Sequence, residues 1–121
     1  MELPESVKNC VKLLYDKKGE DILILDMREL IPEITDYFII VTGHTHDHIL
    51  SMEEYVEGEF AKRGLLPHHI EGHRHSRWIL MDYGFFIVHI MLKEAREFYS
   101  LEELWGDAPR VRYDGEFKEE N

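Results

Sequence analysis

Apolar residues near the start of the chain repeat with the period of an α-helix. Val7, Cys10, Val11 and Leu14 follow the i, i+3, i+4, i+7 spacing of one helical face. The spacing predicts an amphipathic helix from Pro4 to Tyr15 that ends by Gly19, since proline is tolerated in a first helical turn. Cys10 falls on the apolar face, so we interpret it as a core residue rather than a nucleophile.

Two continuous apolar runs follow this helix. Ile22–Leu25 and Tyr37–Val41 lack the alternation of a half-exposed strand. Such runs predict strands that are covered on both faces. The connection between them, residues 27–35, is interrupted by Pro32.

The longest predicted helix runs from Thr45 to Arg63 and ends at Gly64. Its predicted inner stripe consists of Ile49, Met52, Val56 and Phe60. Its predicted solvent face carries Ser51, Glu53, Glu54, Glu57 and Glu59. If the strands that it joins are parallel, the crossover through this helix should be right-handed.

A β-hairpin is predicted around Gly84, because Trp78–Tyr83 and Phe85–Met91 are rich in aromatic and β-branched residues. A short strand at His69–Glu71 precedes it. Alternation places Trp78, Leu80 and Asp82 on one face, and Ile79, Met81 and Tyr83 on the other. The first face either packs beneath a helix or exposes apolar surface that a partner covers, and the pattern leaves both interpretations open.

The segment after the hairpin contains a capping-box pattern, Ser100-Leu101-Glu102-Glu103. It predicts a short helix that carries Leu101, Leu104 and Trp105 and ends at Gly106. The last residues, 107–121, are polar, and we expect them to form a fraying tail without a functional role.

The predicted elements are one helix, two strands, a helix, three strands and a short helix. This order indicates an α/β protein: a single domain with a mixed β-sheet of about five strands and helices packed on it. A length of 121 residues is ordinary for one domain with its own core.

Charge restricts the possible partners. The formal net charge is −11, with 14 basic against 25 acidic residues, which disfavours binding to DNA, RNA or an anionic membrane. A basic protein partner is favoured, although acidity that only maintains solubility is an equally ordinary interpretation. The single Cys10, the acidic N-terminus and the lack of an apolar run of about 20 residues predict a cytoplasmic protein.

Histidine is concentrated in one part of the chain, with seven of the eight between His44 and His75. Alternating histidines could bind zinc, nickel or copper, but side chains two positions apart at a helix start do not share a face. We therefore favour exposed polar residues over a metal site. His89 lies within an apolar run, where a histidine fixed by a hydrogen bond that shapes a surface is favoured over a catalytic base.

Several motifs in register resemble one known family. They are Lys17-Lys18-x-Glu20-Asp21, Leu25-Asp26, Thr35-Asp36-Tyr37-Phe38, Glu71-Gly72, Trp78-x-Leu80-x-Asp82-Tyr83-Gly84, Val88-His89 and Arg96-x-x-Tyr99-x-Leu101-Glu102-x-Leu104-Trp105. The motifs come in the family's order, and the resemblance as a whole spans roughly Val7 to Val111. On these residues the sequence resembles the ribosomal silencing factors, or Iojap-like proteins.

The resemblance implies a silencing-factor domain over residues 1–106, followed by the polar tail at 107–121, with a nucleotidyltransferase-like core that lacks catalytic residues. It further implies a translational repressor that binds the large ribosomal subunit through its protein fourteen, sterically blocks joining of the small subunit, and is a homodimer when free. No cofactor or metal is implied. The partner-binding residues that we infer are Trp78, Leu80, Asp82, Tyr83, Tyr99, Leu101, Glu102, Leu104 and Trp105, with His89 and Arg96 organising them.

The likeness of the fold to nucleotidyltransferases raises an enzymatic alternative. Nucleotidyl transfer needs converging carboxylates that bind divalent metal, and a glycine-rich turn that binds phosphates. The nearest candidate, residues 42–47, offers Asp47 without a closely spaced second carboxylate. We therefore expect no enzymatic activity, and keep a nucleotidyltransferase-like enzyme and a histidine-based metal-binding module as alternatives.

Overall fold

The computed structural model describes residues 1–120 as one α/β domain. Its helices are α1 (Glu5–Asp16), α2 (His46–Lys62), α3 (Lys93–Tyr99) and α4 (Leu101–Leu104). Its strands are β1 (Glu20–Asp26), β2 (Tyr37–Gly43), β3 (His69–Glu71), β4 (Trp78–Asp82), β5 (Phe86–Leu92), β6 (Arg110–Tyr113) and β7 (Phe117–Glu120). The predicted elements are all present, whereas the sequence analysis did not predict α3, β6 or β7.

A single mixed sheet organises the domain, with the strand order β3-β4-β5-β2-β1-β6-β7. The central pair, β2 and β5, is parallel, while each of the other neighbouring pairs is antiparallel. The mixed α/β class is confirmed. The strand number within residues 1–120 is seven rather than about five.

The two additional strands come from the segment that was expected to fray. β6 pairs with β1, from Ile22 opposite Tyr113 to Leu25 opposite Arg110, and β7 pairs with β6. Val111 is 2% exposed and belongs to the core. The expectation of a frayed tail is therefore wrong for residues 107–120, because the free edge of β1 supplies backbone hydrogen bonds to a polar sequence. Asn121, the last residue of that tail, lies outside the described residues.

The sheet has a core on each face. One core packs α1 and α2 against the sheet, and the other lies beneath α3, α4 and the connection between β1 and β2. Every residue of β2 and β5 is buried because both faces are covered. This double coverage explains why these strands appear in the sequence as continuous apolar runs.

The helix boundaries confirm the sequence analysis in part. Thr45 caps α2, since its hydroxyl accepts a hydrogen bond from the His48 amide at 3.0 Å. Glu53 was placed on the solvent face of this helix, but it is only 8% exposed, so that placement is wrong. It occupies the i+4 position after Ile49, which belongs to the apolar stripe.

The predicted capping box is also wrong. Ser100 has φ 47° and ψ 54°, a left-handed conformation in which it ends α3 and precedes α4. Within residues 1–120 its side chain makes no capping hydrogen bond; instead its carbonyl accepts from the Glu103 amide at 3.0 Å. The local motif failed because a helix that the sequence analysis did not predict arrives directly at this residue.

Candidate partner-binding surface

The face of the β4–β5 hairpin opposite α1 and α2 carries the residues predicted to contact a partner. Trp78, Leu80 and Asp82 on β4 are half-buried, and Ile79 and Met81 between them are buried in the other core. The predicted alternation is therefore confirmed. The chain turns sharply after Asp82, whose carboxylate accepts from the Gly84 amide at 2.8 Å.

Tyr83 does not belong to this surface. It is 2% exposed and stacks on Phe86 in the core beneath α1 and α2, with ring centroids 4.9 Å apart. Burial raises the pKa of its phenol further above the usual range. Its assignment as a contact residue is thus wrong, because β alternation directs it with Ile79 and Met81 to the opposite face.

A hydrogen bond between neighbouring strands fixes Trp78. Its indole N–H donates to Nδ1 of His89 on β5 at 3.1 Å. His89 is 4% exposed, and burial lowers its pKa to about 4, so the ring is neutral at physiological pH and Nδ1 accepts. His89 cannot itself contact a partner; it determines where the indole of Trp78 lies.

An aromatic row extends from Trp78 across α3. The rings of Trp78 and Tyr99 lie 4.8 Å apart, and those of Tyr99 and Phe98 lie 5.1 Å apart. Tyr99 is 51% exposed and Phe98 is 80% exposed. Sequence analysis missed Phe98, although an aromatic ring directly after the mostly charged segment Lys93–Glu97 could have drawn attention to it.

Arg96 holds α3 in place from below. Its Nη1 donates to the Asp21 carbonyl at 2.6 Å and to the Thr42 hydroxyl at 2.8 Å, and its Nε donates to the Glu102 carboxylate at 3.3 Å. These bonds join α3 to β1, β2 and α4. Burial lowers the pKa of Arg96, opposed first by the charge of Glu102. Arg96 is therefore buried and joins the elements that carry the surface, whereas its role in organising partner contacts stays a prediction.

The short helix α4 continues the surface beyond α3. Leu104 is 67% exposed and Trp105 is half-buried, with its ring 6.5 Å from that of Phe38. Leu101 is 8% exposed and packs into the core beneath α4, so it supports the surface rather than touching a partner. Arg110 fastens the end of α4 by donating to the Trp105 carbonyl at 3.2 Å, a role that the sequence analysis missed.

We call the exposed and half-buried members of this region the aromatic surface. Its members are Trp78, Leu80, Asp82, Phe98, Tyr99, Glu102, Leu104 and Trp105. Of the residues predicted to contact a partner directly, Tyr83 and Leu101 are buried and the others are exposed or half-buried. Large amphipathic rings held by buried hydrogen bonds are the usual composition of a protein-binding surface.

His46 and His48 of the histidine-rich segment use their ring nitrogens in hydrogen bonds to backbone groups. His48 Nδ1 accepts from the His44 amide at 2.9 Å, and His48 Nε2 lies 2.7 Å from the Lys17 carbonyl. His46 Nδ1 lies 2.9 Å from the Ser76 carbonyl. Within residues 1–120, three or more His, Cys, Asp or Glu side chains nowhere converge in a way that could hold a metal ion.

The two residues considered for catalysis, Cys10 and Asp47, lie on different helices. Cys10 is buried in the core, where burial raises the pKa of its thiol, so it is not an activated nucleophile. Asp47 is exposed in the first turn of α2.

None of the helices described over residues 1–120 has the length and apolar character needed to cross a membrane.

The fold and its surface define a class: a small mixed α/β domain with a preformed aromatic surface. The sequence profile of the family described as "Ribosomal silencing factor during starvation" matches residues 1–121. The chain belongs to this family of ribosome-associated repressors, which confirms the resemblance inferred from the sequence motifs.

Individual relatives agree with this assignment. The ribosomal silencing factor RsfS of Bacillus subtilis is 38% identical over 99 residues, which are 82% of this chain and 83% of that protein. The mouse protein named "Mitochondrial assembly of ribosomal large subunit protein 1" is 35% identical over 78% of this chain and 42% of its own length. A crystal structure of a Chromobacterium violaceum protein superposes with a TM-score of 0.81 at 33% identity, covering 88% of each chain.

Proposed function

We propose that this protein represses translation by binding the large ribosomal subunit through its protein fourteen and sterically blocking the small subunit. The observation that carries the proposal is the aromatic surface, in which Trp78 is half-buried and Tyr99 is exposed. Buried His89 accepts from the Trp78 indole, and buried Arg96 holds α3, which carries Tyr99. Membership of a family named for ribosomal silencing supports it. The name of the mouse relative supports the large subunit as the target.

The chemistry of the surface suits a basic protein partner. Exposed rings at its centre, above all Tyr99 and Phe98, would supply apolar contact area. The exposed carboxylates of Glu94, Glu97 and Glu103 lie on α3 and α4, and Glu94 lines a cleft together with Phe98 and Tyr99. They could meet lysine or arginine of a partner, whereas Glu102 is already paired with Arg96 and Asp82 already caps a turn.

The proposed mechanism requires occupancy and no covalent chemistry. A domain of 14.5 kDa seated on a protein beside the intersubunit contact would occupy space that the small subunit needs. Repression would then depend on the concentration and affinity of the factor. With this mode of action, the protein would act on ribosomes in the cytoplasm.

Substitutions at the centre of the aromatic surface test the proposal. Trp78→Ala and Tyr99→Ala should each leave the fold intact and cost about 2 kcal/mol or more of binding free energy, because each removes a large contact ring. Co-sedimentation with purified large subunits, and pull-down with isolated protein fourteen, measure the loss.

Tyr15→Ala is the matched control, since Tyr15 is 44% exposed but lies on α1, which packs on the other face of the sheet. Undiminished co-sedimentation of folded Trp78→Ala and Tyr99→Ala variants would eliminate this surface. Wild-type protein that binds large subunits but leaves subunit joining unchanged at saturation would eliminate the steric mechanism.

We also propose that the free protein is a homodimer, as the family resemblance implies. An exposed apolar surface such as that around Phe98 and Leu104 is costly in water unless it is covered. Light scattering at high concentration should give twice the chain mass. A mass of only 14.5 kDa would refute the dimer.

A further inference from the structure

One loop departs from the acidic character of the chain. His73-Arg74-His75-Ser76-Arg77, which we call the cationic loop, joins β3 to β4 and contains two arginines and two histidines without a carboxylate. Arg74 and Arg77 are exposed. The loop is therefore a locally basic stretch in a chain of net charge −11.

The arginines of this loop, like Arg63 and Arg110, have no carboxylate partner within residues 1–120. Arg28, Arg96 and Arg112 each form an ion pair with a carboxylate. Over residues 1–120, neither Arg74 nor Arg77 has a carboxylate within salt-bridge distance, although acidic residues outnumber basic ones. Both guanidinium groups are therefore available to an external anion.

The backbone of the loop is ordered before any partner arrives. Ser76 Oγ accepts from the His73 amide at 3.0 Å, and the Ser76 carbonyl lies 2.9 Å from His46 Nδ1 on α2. At its end, the Arg77 carbonyl accepts from the Leu92 amide at 2.9 Å. Just before the loop, Gly72 has φ +107°, and a Cβ there would lie 2.8 Å from the Trp78 carbonyl. A loop that is already held loses little conformational entropy on binding.

The cationic loop adjoins the aromatic surface directly. Arg77 immediately precedes Trp78, and a cleft of about 610 Å³ separates the loop from α3. Arg77 and Trp78 lie on one wall of the cleft, and Glu94, Phe98 and Tyr99 lie on the other. If a partner binds Trp78 and Tyr99, the molecules next to that partner in its own assembly will lie close to the arginines of the loop.

We infer that the cationic loop contacts RNA phosphates of the large ribosomal subunit beside the docked protein. The inference rests on the proposed function, because that function supplies a partner embedded in RNA. Arginine binds phosphate through charge-assisted, paired hydrogen bonds that require no base sequence. The acidic remainder of the surface repels RNA, so the contact is confined to this loop and orients the factor on the subunit. An acidic protein segment is the competing occupant.

The test compares two targets and two double variants. Arg74→Gln/Arg77→Gln removes both guanidinium groups, and Lys12→Gln/Lys17→Gln removes two exposed charges from α1 and the residue that follows it. Dissociation constants are measured for intact large subunits and for isolated protein fourteen, between about 50 and 200 mM potassium chloride.

For intact subunits, the slope of log affinity against log salt should become shallower by about 1 to 2 in the arginine variant, because each phosphate contact contributes roughly 0.7 to 0.9. Its affinity for subunits should fall about tenfold at the lowest salt. Its affinity for isolated protein fourteen, and both affinities of the lysine variant, should equal those of the wild type.

Three results would overturn the inference. An unchanged salt slope on subunits means that the loop does not touch phosphate. An equal loss of affinity for isolated protein fourteen means that it contacts acidic protein instead. Failure of the wild type to bind either target would refute the proposed function, and the RNA contact with it.

Discussion

Replacement of Glu53 by glutamine should alter how the stability of the fold depends on pH. Glu53 lies on α2 with 8% of its surface exposed, and its Oε2 has no hydrogen-bond partner within residues 1–120. Burial, and secondarily the carboxyl of Glu57, raises its pKa to about 8, with a smaller contribution from Glu54. Tyr83 lies near Glu53 in the same part of the core, and Cys10 on α1 lies near Tyr83. Burial raises the pKa of both groups, so both are uncharged.

Because its pKa is raised, Glu53 makes the fold less stable as pH rises. Since the folded state holds the Glu53 proton more tightly than the unfolded state, the contribution to stability is complete below the unfolded pKa of about 4.3. It is lost as pH rises towards the folded pKa of about 8. Each unit of pKa difference corresponds to about 1.4 kcal/mol, so wild type should lose about 2 kcal/mol between pH ~5 and pH ~7 relative to Glu53→Gln.

Urea unfolding of both proteins across this pH range measures the effect. His89 contributes the opposite slope, because its lowered pKa destabilises the fold as pH falls from the unfolded value towards about 4. The difference between wild type and variant removes that contribution, since both proteins retain His89. Glu54→Gln, at an exposed position next along α2, is the control for loss of one charge. Free energies of unfolding that run parallel in wild type and Glu53→Gln would refute the reasoning.

Two further substitutions test the supports of the aromatic surface. His89→Leu should lower the free energy of unfolding at neutral pH by about 1 to 3 kcal/mol, because the Trp78 indole N–H loses its acceptor; thermal melts that match wild type would contradict this. Arg96→Met should cost about 3 kcal/mol by leaving Glu102 unpaired, and should weaken binding to large subunits without removing a contact residue. Stability and co-sedimentation that both match wild type would refute that role.

The local pattern of apolar and polar residues was sufficient to predict the strands at the centre of the fold. The apolar runs of β1 and β2 could be predicted because strands covered on both faces tolerate few polar residues. Alternation along β4 separated Trp78 and Leu80 from Ile79 and Met81 correctly. The same alternation grouped Tyr83 with Ile79 and Met81 on the opposite face, and only the family resemblance assigned it to the contact surface.

The wrong predictions came from strand pairing between segments distant in sequence, and from a charged residue that is buried on the apolar face of a helix. β6 and β7 contain Arg110, Arg112 and Lys118, and they form strands because β1 offers a free edge rather than because of their own composition. Glu53 occupies an apolar position of α2, where its charge concealed its burial. Arg96 donates to the Asp21 carbonyl, which is distant in sequence, and Arg110 donates to the Trp105 carbonyl at the end of α4. No rule of sequence spacing predicts either contact.

The parallel pairing of β2 with β5 has a consequence for synthesis of the protein. Tyr37 pairs with Phe86, so the central ladder forms only after α2 and the β3–β4 hairpin have been made. Long-range pairing of this kind slows folding and delays it until late in translation. β6 must then add to β1 from still further along the chain. A nascent copy of this ribosomal factor therefore cannot complete its sheet until nearly all of it has emerged from a ribosome.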